Sequence, residues 1–131
     1  MEMEWMRIET RDGVTAFLPG ETVEGTVGWR FNVPARSVEL RLLWYTEGKG
    51  DQDVGVVASV PLADPGRNEV RPFQIRLPAG PYSFSGRLIS LSWALEVVAE
   101  PGSRAERLPI TVSPTRQELL LSSGVAVAGP G

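Results

Sequence analysis

The residues best suited to chemistry lie in one short acidic segment, residues 47–53. Its sequence, Glu-Gly-Lys-Gly-Asp-Gln-Asp, places carboxylates at odd-numbered positions, a spacing that resembles calcium loops with oxygen ligands. A calcium loop of the helix-loop-helix type also needs a bidentate glutamate and two flanking helices, which this segment lacks. Lys49 adds a positive charge among the acids. We therefore interpret the segment as a solvated hairpin loop and predict no metal ligands.

Nucleophilic catalysis would have to rely on serine. The sequence contains neither histidine, the usual general base near neutral pH, nor cysteine. The single lysine, Lys49, lies in the acidic segment and is the only amine side chain that could activate a hydroxyl. We therefore expect a protein that is not an enzyme, with no catalytic or cofactor-binding residues. The serines considered as nucleophiles are Ser83, Ser85, Ser90, Ser92, Ser122 and Ser123.

Paired carboxylates are the remaining route to catalysis. Glu24, Glu39 and Glu96 could meet in space, as glycoside hydrolysis requires. Each lies at a position that alternates with apolar residues, so each is predicted on the wet face of a strand. Cross-strand ion pairs are the ordinary use of such residues, and the candidate partners are Arg30, Arg41 and Arg76.

Four tryptophans could stack on sugars or on single-stranded nucleic acid. Trp29, Trp44 and Trp93 share the parity of the buried residues of their strands, which predicts that they belong to the core. Only Trp5 is free for either role. A small-ligand or carbohydrate-binding sandwich therefore stays open as an alternative function.

Length and composition indicate one self-sufficient domain of 131 residues, with 42% hydrophobic and 22% charged residues. A net charge of -3 disfavours nucleic-acid binding, since phosphate contacts require basic side chains. The amino terminus does not resemble a secretory signal, and no apolar run is long enough for a transmembrane segment. We therefore expect a cytoplasmic location.

Side chains alternate between apolar and polar over several short segments, which predicts strands with one buried face. Residues 88–99 form the longest segment and should be central, whereas Pro72 predicts an edge or a bulge within residues 68–77. Asp12-Gly13 predicts a hairpin between the first two strands. With glycine and proline between the segments, the sequence predicts an all-β sandwich or barrel. The predicted strands are residues 3–9, 14–17, 22–31, 37–44, 54–60, 68–77, 88–99 and 107–112.

Three segments together resemble the amino-terminal domain of the arrestin-like superfamily, which includes arrestins, the arrestin-shaped retromer subunit and bacterial sporulation-control proteins. They are residues 18–27 (LPGETVEGTV), residues 72–86 (PFQIRLP followed by GPYSFSG) and residues 88–97 (LISLSWALEV). The resemblance extends over residues 14–112. It implies an immunoglobulin-like, two-sheet β-sandwich of about seven to eight antiparallel strands, acting as an adaptor or scaffold. Typical members carry two such domains, whereas 131 residues hold one.

The carboxyl-terminal segment differs in kind from the rest of the chain. We predict an arrestin-like domain over residues 1–113 and a tail over residues 114–131 that either adds an edge strand or orders only against a partner. The expected partner is a protein, or a second copy of this chain, bound through a sheet edge or the tail. The predicted protein-binding residues are Leu119, Leu120, Leu121, Val125 and Val127.

Overall fold

The computed structural model describes residues 3–48, 50, 52–86, 88–122 and 125–126. These residues form eleven strands and one 3-10 turn at Arg11–Gly13, in agreement with the predicted all-β class. The strands are β1 (Trp5–Thr10), β2 (Ala16–Phe17), β3 (Thr22–Arg30), β4 (Ser37–Gly48), β5 (Val54–Leu62), β6 (Asn68–Arg76), β7 (Phe84–Ser85), β8 (Ile89–Glu100), β9 (Arg104–Val112), β10 (Leu119–Ser122) and β11 (Val125–Ala126).

The strands make two facing sheets, so the sandwich prediction is confirmed. The smaller sheet has the order β1-β3-β6 and is antiparallel throughout. The larger sheet has the order β11-β10-β7-β8-β4-β5, and β9 pairs with β8 and with β2. As predicted, β8 is central, since β4 lies along one side of it and β7 and β9 share the other.

The predicted strand inventory needs two corrections. Seven strands of six residues or more pair with one another only in antiparallel fashion, as expected. Of the four shorter strands, β2 lies within the predicted strand at residues 14–17, β10 and β11 lie in the tail for which an added edge strand was one alternative, and β7 was not predicted. Two of the short ones pair in parallel, β2 with β9 and β10 with β7. The two residues of β7 are too few for alternation to reveal a strand.

The predicted hairpin at Asp12-Gly13 is wrong. β1 pairs with β3 in the smaller sheet, whereas β2 pairs with β9 in the larger one. The turn at Arg11–Gly13, in which Asp12 has a φ of 57°, therefore carries the chain from one sheet to the other. Asp-Gly favours a tight reversal but does not determine which strands pair after it.

The core lies between the sheets and includes two indoles. Trp29 and Trp93 are fully buried, as predicted, and each indole N–H donates to a loop carbonyl at 2.8 Å, Trp29 to Gly66 and Trp93 to Pro81. Trp44 packs against the same cluster but is only partly buried. The buried indoles thereby fix two loops to the sandwich, since a buried N–H without an acceptor would be costly.

Candidate functional site

Strand β5 forms an end of the larger sheet. It pairs with β4 along one side, and within the described part of the chain no strand pairs with its other side. A strand in this position presents unpaired N–H and C=O groups to which another chain can add. This nine-residue edge is the candidate functional site.

The direction of these free groups follows from the β4–β5 ladder. The Thr46 N–H donates to the Asp53 carbonyl at 2.9 Å, so the main chain of Asp53 points towards β4. Because main-chain groups alternate in direction along a strand, those of Val54 and Val56 point to the uncovered side.

Three apolar side chains of β5 are largely exposed. Val54 and Val56 are each 53% exposed and Val57 is 44% exposed. Over the whole strand, Val54–Leu62, there is no charged residue. Charges on an edge strand normally oppose pairing with other chains, so β5 lacks a common form of protection.

Other contacts hold β5 firmly on β4. The Thr46 side-chain oxygen accepts the Asp53 N–H at 3.1 Å and closes the hairpin predicted for residues 47–53. Within that hairpin, Lys49 and Asp51 lie outside the described residues. The Ser59 hydroxyl donates to the Glu39 carboxylate, and this bond, with one from Arg41, holds the pKa of Glu39 below its ordinary value of 4.5. The site is therefore a fixed edge.

The register of β5 shifts by one residue between its two halves. Leu42 pairs with Ala58 and Leu43 with Val56, so Val57 is an extra residue in the strand. Val56 and Ser59 consequently face the outer side of the sheet, opposite Leu43 and Arg41 of β4. A bulge of this kind bends the strand and increases its local twist.

The edges of the smaller sheet are protected by different means. Strand β6 carries the ion pair between Arg71 and Glu69 at 2.7 Å. It also contains Pro72, which has no N–H, but β5 likewise contains a proline, Pro61, so charge is what distinguishes the two edges. The prediction that β6 lies at an edge is confirmed, and its register against β3 is continuous through Pro72. Strand β1 carries an ion pair between Arg7 and Glu9 at 3.2 Å. Of these three edge strands, β5 alone is uncharged.

Those predicted tail residues that the structure describes lie at the opposite end of the larger sheet. Leu119 pairs with Phe84 in the parallel β10–β7 ladder and is partly buried, whereas Leu120 is 66% exposed. Leu121 pairs with the residue after Val125 in the β10–β11 ladder. Val127 lies outside the described residues. The role of these residues in binding a partner remains a prediction.

Trp5, the predicted free indole, lies on the outer face of the smaller sheet. Its ring packs against Gly28, where a Cβ would approach within 3.2 Å, and the Arg7 guanidinium lies 4.8 Å from the ring centre. Trp5 and Arg7 also line a groove of about 480 Å³ between β1 and β9. Because Gly28 and Arg7 already contact the indole, this arrangement offers a poor stacking platform for a sugar.

Ser83 and the three carboxylates considered for catalysis have structural partners. Ser83 is buried, and its hydroxyl accepts the Val112 N–H at 3.0 Å. Each candidate carboxylate is bound by neighbouring side chains: Glu24 by Arg11 and Gln74, Glu39 by Ser59 and Arg41, and Glu96 by Arg107. The structure therefore places the three carboxylates in separate surface networks.

Sequence reasoning missed the β5 edge, although a signal was present. The nine residues of Val54–Leu62 lack charge, which resembles a strand covered on both faces. The missing information was the pairing partner of β5, which the alternation of side chains does not report.

Within the described residues, no helix has the length and apolar character needed to cross a membrane.

Comparison with known proteins identifies a solved structure with a similar fold. No protein-family model and no curated protein matches the chain. Among solved structures, Spo0M, a sporulation control protein from Bacillus subtilis, superimposes with a TM-score of 0.64 and 19% sequence identity. The match covers 86% of this chain and 50% of Spo0M, so the chain spans about half the length of that protein.

The chain thus has an arrestin-like β-sandwich fold, and the predicted resemblance is confirmed at the level of the fold. The fold and its uncovered edge define the class of molecule: an all-β domain with an exposed, uncharged edge strand at one end of its larger sheet.

Proposed function

We propose that this protein is a non-enzymatic adaptor that binds an extended segment of a partner protein by adding it to strand β5. The uncharged, uncovered edge of β5 is the observation that carries the proposal. Strand addition draws affinity from main-chain hydrogen bonds and specificity from alternate side chains. The outward main-chain groups of Val54 and Val56 would form the hydrogen bonds, and the exposed valine side chains would provide the specificity.

The predicted tail residues offer this adaptor a second contact. Leu120 is exposed on β10, and β5 and β10 lie towards opposite ends of one sheet. One added strand cannot reach both surfaces. A protein with two such contacts would join two partners, which is the function of a scaffold.

We also propose that the protein acts in the cytoplasm.

A pull-down from native extract with matched variants tests the proposal. Val56→Lys puts a charge on the β5 edge at a half-exposed position, so folding should be retained. The control, Val70→Lys, places the same charge on a valine of β6 that is 67% exposed. We expect partners to be lost with Val56→Lys and retained with Val70→Lys. Equal retention by both folded variants would refute binding at β5.

A further inference from the structure

We propose that the β5 edge pairs with β5 of a second copy of this chain, antiparallel and around a two-fold axis, with Val56 of one copy opposite Ser59 of the other. This inference rests on the proposed function, because it names a partner for the same edge. It would join the larger sheets of two molecules into one continuous sheet.

Charge is the first reason to choose a second copy. Residues opposed in an antiparallel pair interact directly, and like charges there are destabilising. Self-pairing of Val54–Leu62 brings no charged residues into opposition, since the strand contains none. Self-pairing of β6 would instead bring Glu69 and Arg71 into the new ladder.

The bulge sets the register. Side chains on the two strands of a pair must share faces, and the extra residue Val57 reverses the alternation halfway along β5. Two antiparallel copies match along their length only if their bulges lie beside each other, with Val57 opposite Ala58. This register places Val56 opposite Ser59 on the outer face and Gly55 opposite Val60 on the inner face.

Side-chain volume agrees with this register. Gly55 opposes Val60, Ala58 opposes Val57, and Ser59 opposes Val56, so a small residue meets a valine at each of these positions. Cross-strand pairs of this kind fill space without overlap. The contact involves eight residues from each copy, residues 54–61, and Pro61, opposite Val54, supplies a carbonyl but no N–H at each end of the ladder. This places the contact at the small end of specific interfaces. We therefore expect a reversible dimer whose population rises with concentration.

Cysteine cross-linking tests the register. The natural chain has no cysteine, so Val56→Cys and Ser59→Cys each introduce a single thiol. Opposed cysteines in a strand pair lie close enough for a disulfide. When the two variants are mixed in equal amounts and oxidised, we expect the mixed disulfide in at least fivefold excess over either symmetric one. Replacing one of them by Val70→Cys should abolish this preference. A statistical distribution of the three products would overturn the proposed pairing.

Analytical ultracentrifugation separates this inference from the proposed function. The full chain should show a dimer at high concentration, Val56→Lys should reduce the dimer at least tenfold, and Val70→Lys should not change it. A protein that stays monomeric, or a dimer insensitive to Val56→Lys, refutes self-pairing. If Val56→Lys nevertheless loses partners in the pull-down, strand addition at β5 stands with a different protein. If neither assay responds to Val56→Lys, both proposals fail.

Discussion

Gly55 of β5 lies directly under the indole ring of Trp44, its partner in the β4–β5 ladder, so closely that a Cβ atom at this position would overlap the ring. The contact explains why a glycine interrupts a run of valines. Trp44 is partly buried and packs on the core cluster, as do Ala58, Val60 and Leu62 of β5, so this ring is one of the contacts by which the core positions the edge strand.

Replacement of Gly55 by alanine should displace either the indole or the strand. The added methyl group meets the Trp44 ring, and overpacking of this kind costs about 1–3 kcal/mol of the free energy of unfolding. Chemical denaturation monitored by tryptophan fluorescence measures the loss. The control is Val57→Ala in the same strand, whose side chain is exposed and should change stability by about 0.5 kcal/mol or less. Equal effects of the two changes would contradict the role of the indole.

Replacement of Trp29 by phenylalanine should release the loop between β5 and β6. The indole N–H donates to the Gly66 carbonyl at 2.8 Å, and phenylalanine has no donor. We expect a loss of about 1–3 kcal/mol in the free energy of unfolding, since a polar group loses its partner beside a buried ring. Trp5→Phe is the matched control because Trp5 lies outside the core cluster. Faster amide exchange around Gly66 in Trp29→Phe alone would locate the effect.

Acid should weaken the attachment of β5 to β4. The hydroxyl of Ser59, together with Arg41, lowers the pKa of Glu39 below 4.5, so the folded state binds this proton less readily than the unfolded chain. The associated stability is present above about pH 4.5 and is lost as the pH falls through the lowered pKa.

Ser59→Ala removes the largest cause of this shift. The pKa of Glu39, measured by NMR titration of its side-chain carbonyl, should then rise towards 4.5, and part of the acid dependence of stability should vanish. The Glu100 carboxylate, whose pKa is lowered chiefly by Ser103, provides an internal control that should not change. An unaltered Glu39 titration would show that Ser59 does not bind this carboxylate in solution.

Ending the chain after Pro114 separates the two proposed contact surfaces. The Leu119 N–H donates to the Ser83 carbonyl at 3.0 Å, so the cut removes a strand from β7, but the described core cluster lies within residues 8–112. We expect a folded domain that keeps the partners sensitive to Val56→Lys and loses those bound by the tail. The readout is a pull-down with thermal unfolding measured in parallel. A partner set identical to that of the full chain would refute the tail contact.

The alternation of apolar and polar side chains predicted most of the strands. The parity of Trp29 and Trp93 predicted their burial, and the length of residues 88–99 predicted a central strand. Pro72 predicted an edge or a bulge, and the structure has the edge. These properties belong to a strand by itself, because they follow from which face is apolar and which residue lacks an N–H.

The sequence did not predict which strands pair with one another. Asp12-Gly13 could not reveal that β1 and β2 enter different sheets, and the uncharged strand β5 could not reveal that one of its sides is uncovered. Main-chain hydrogen bonds make these pairs, and every residue except proline offers the same donor and acceptor. The sequence by itself therefore determined which side chains form the core, whereas only the tertiary structure decided which strand edge remains open to a partner.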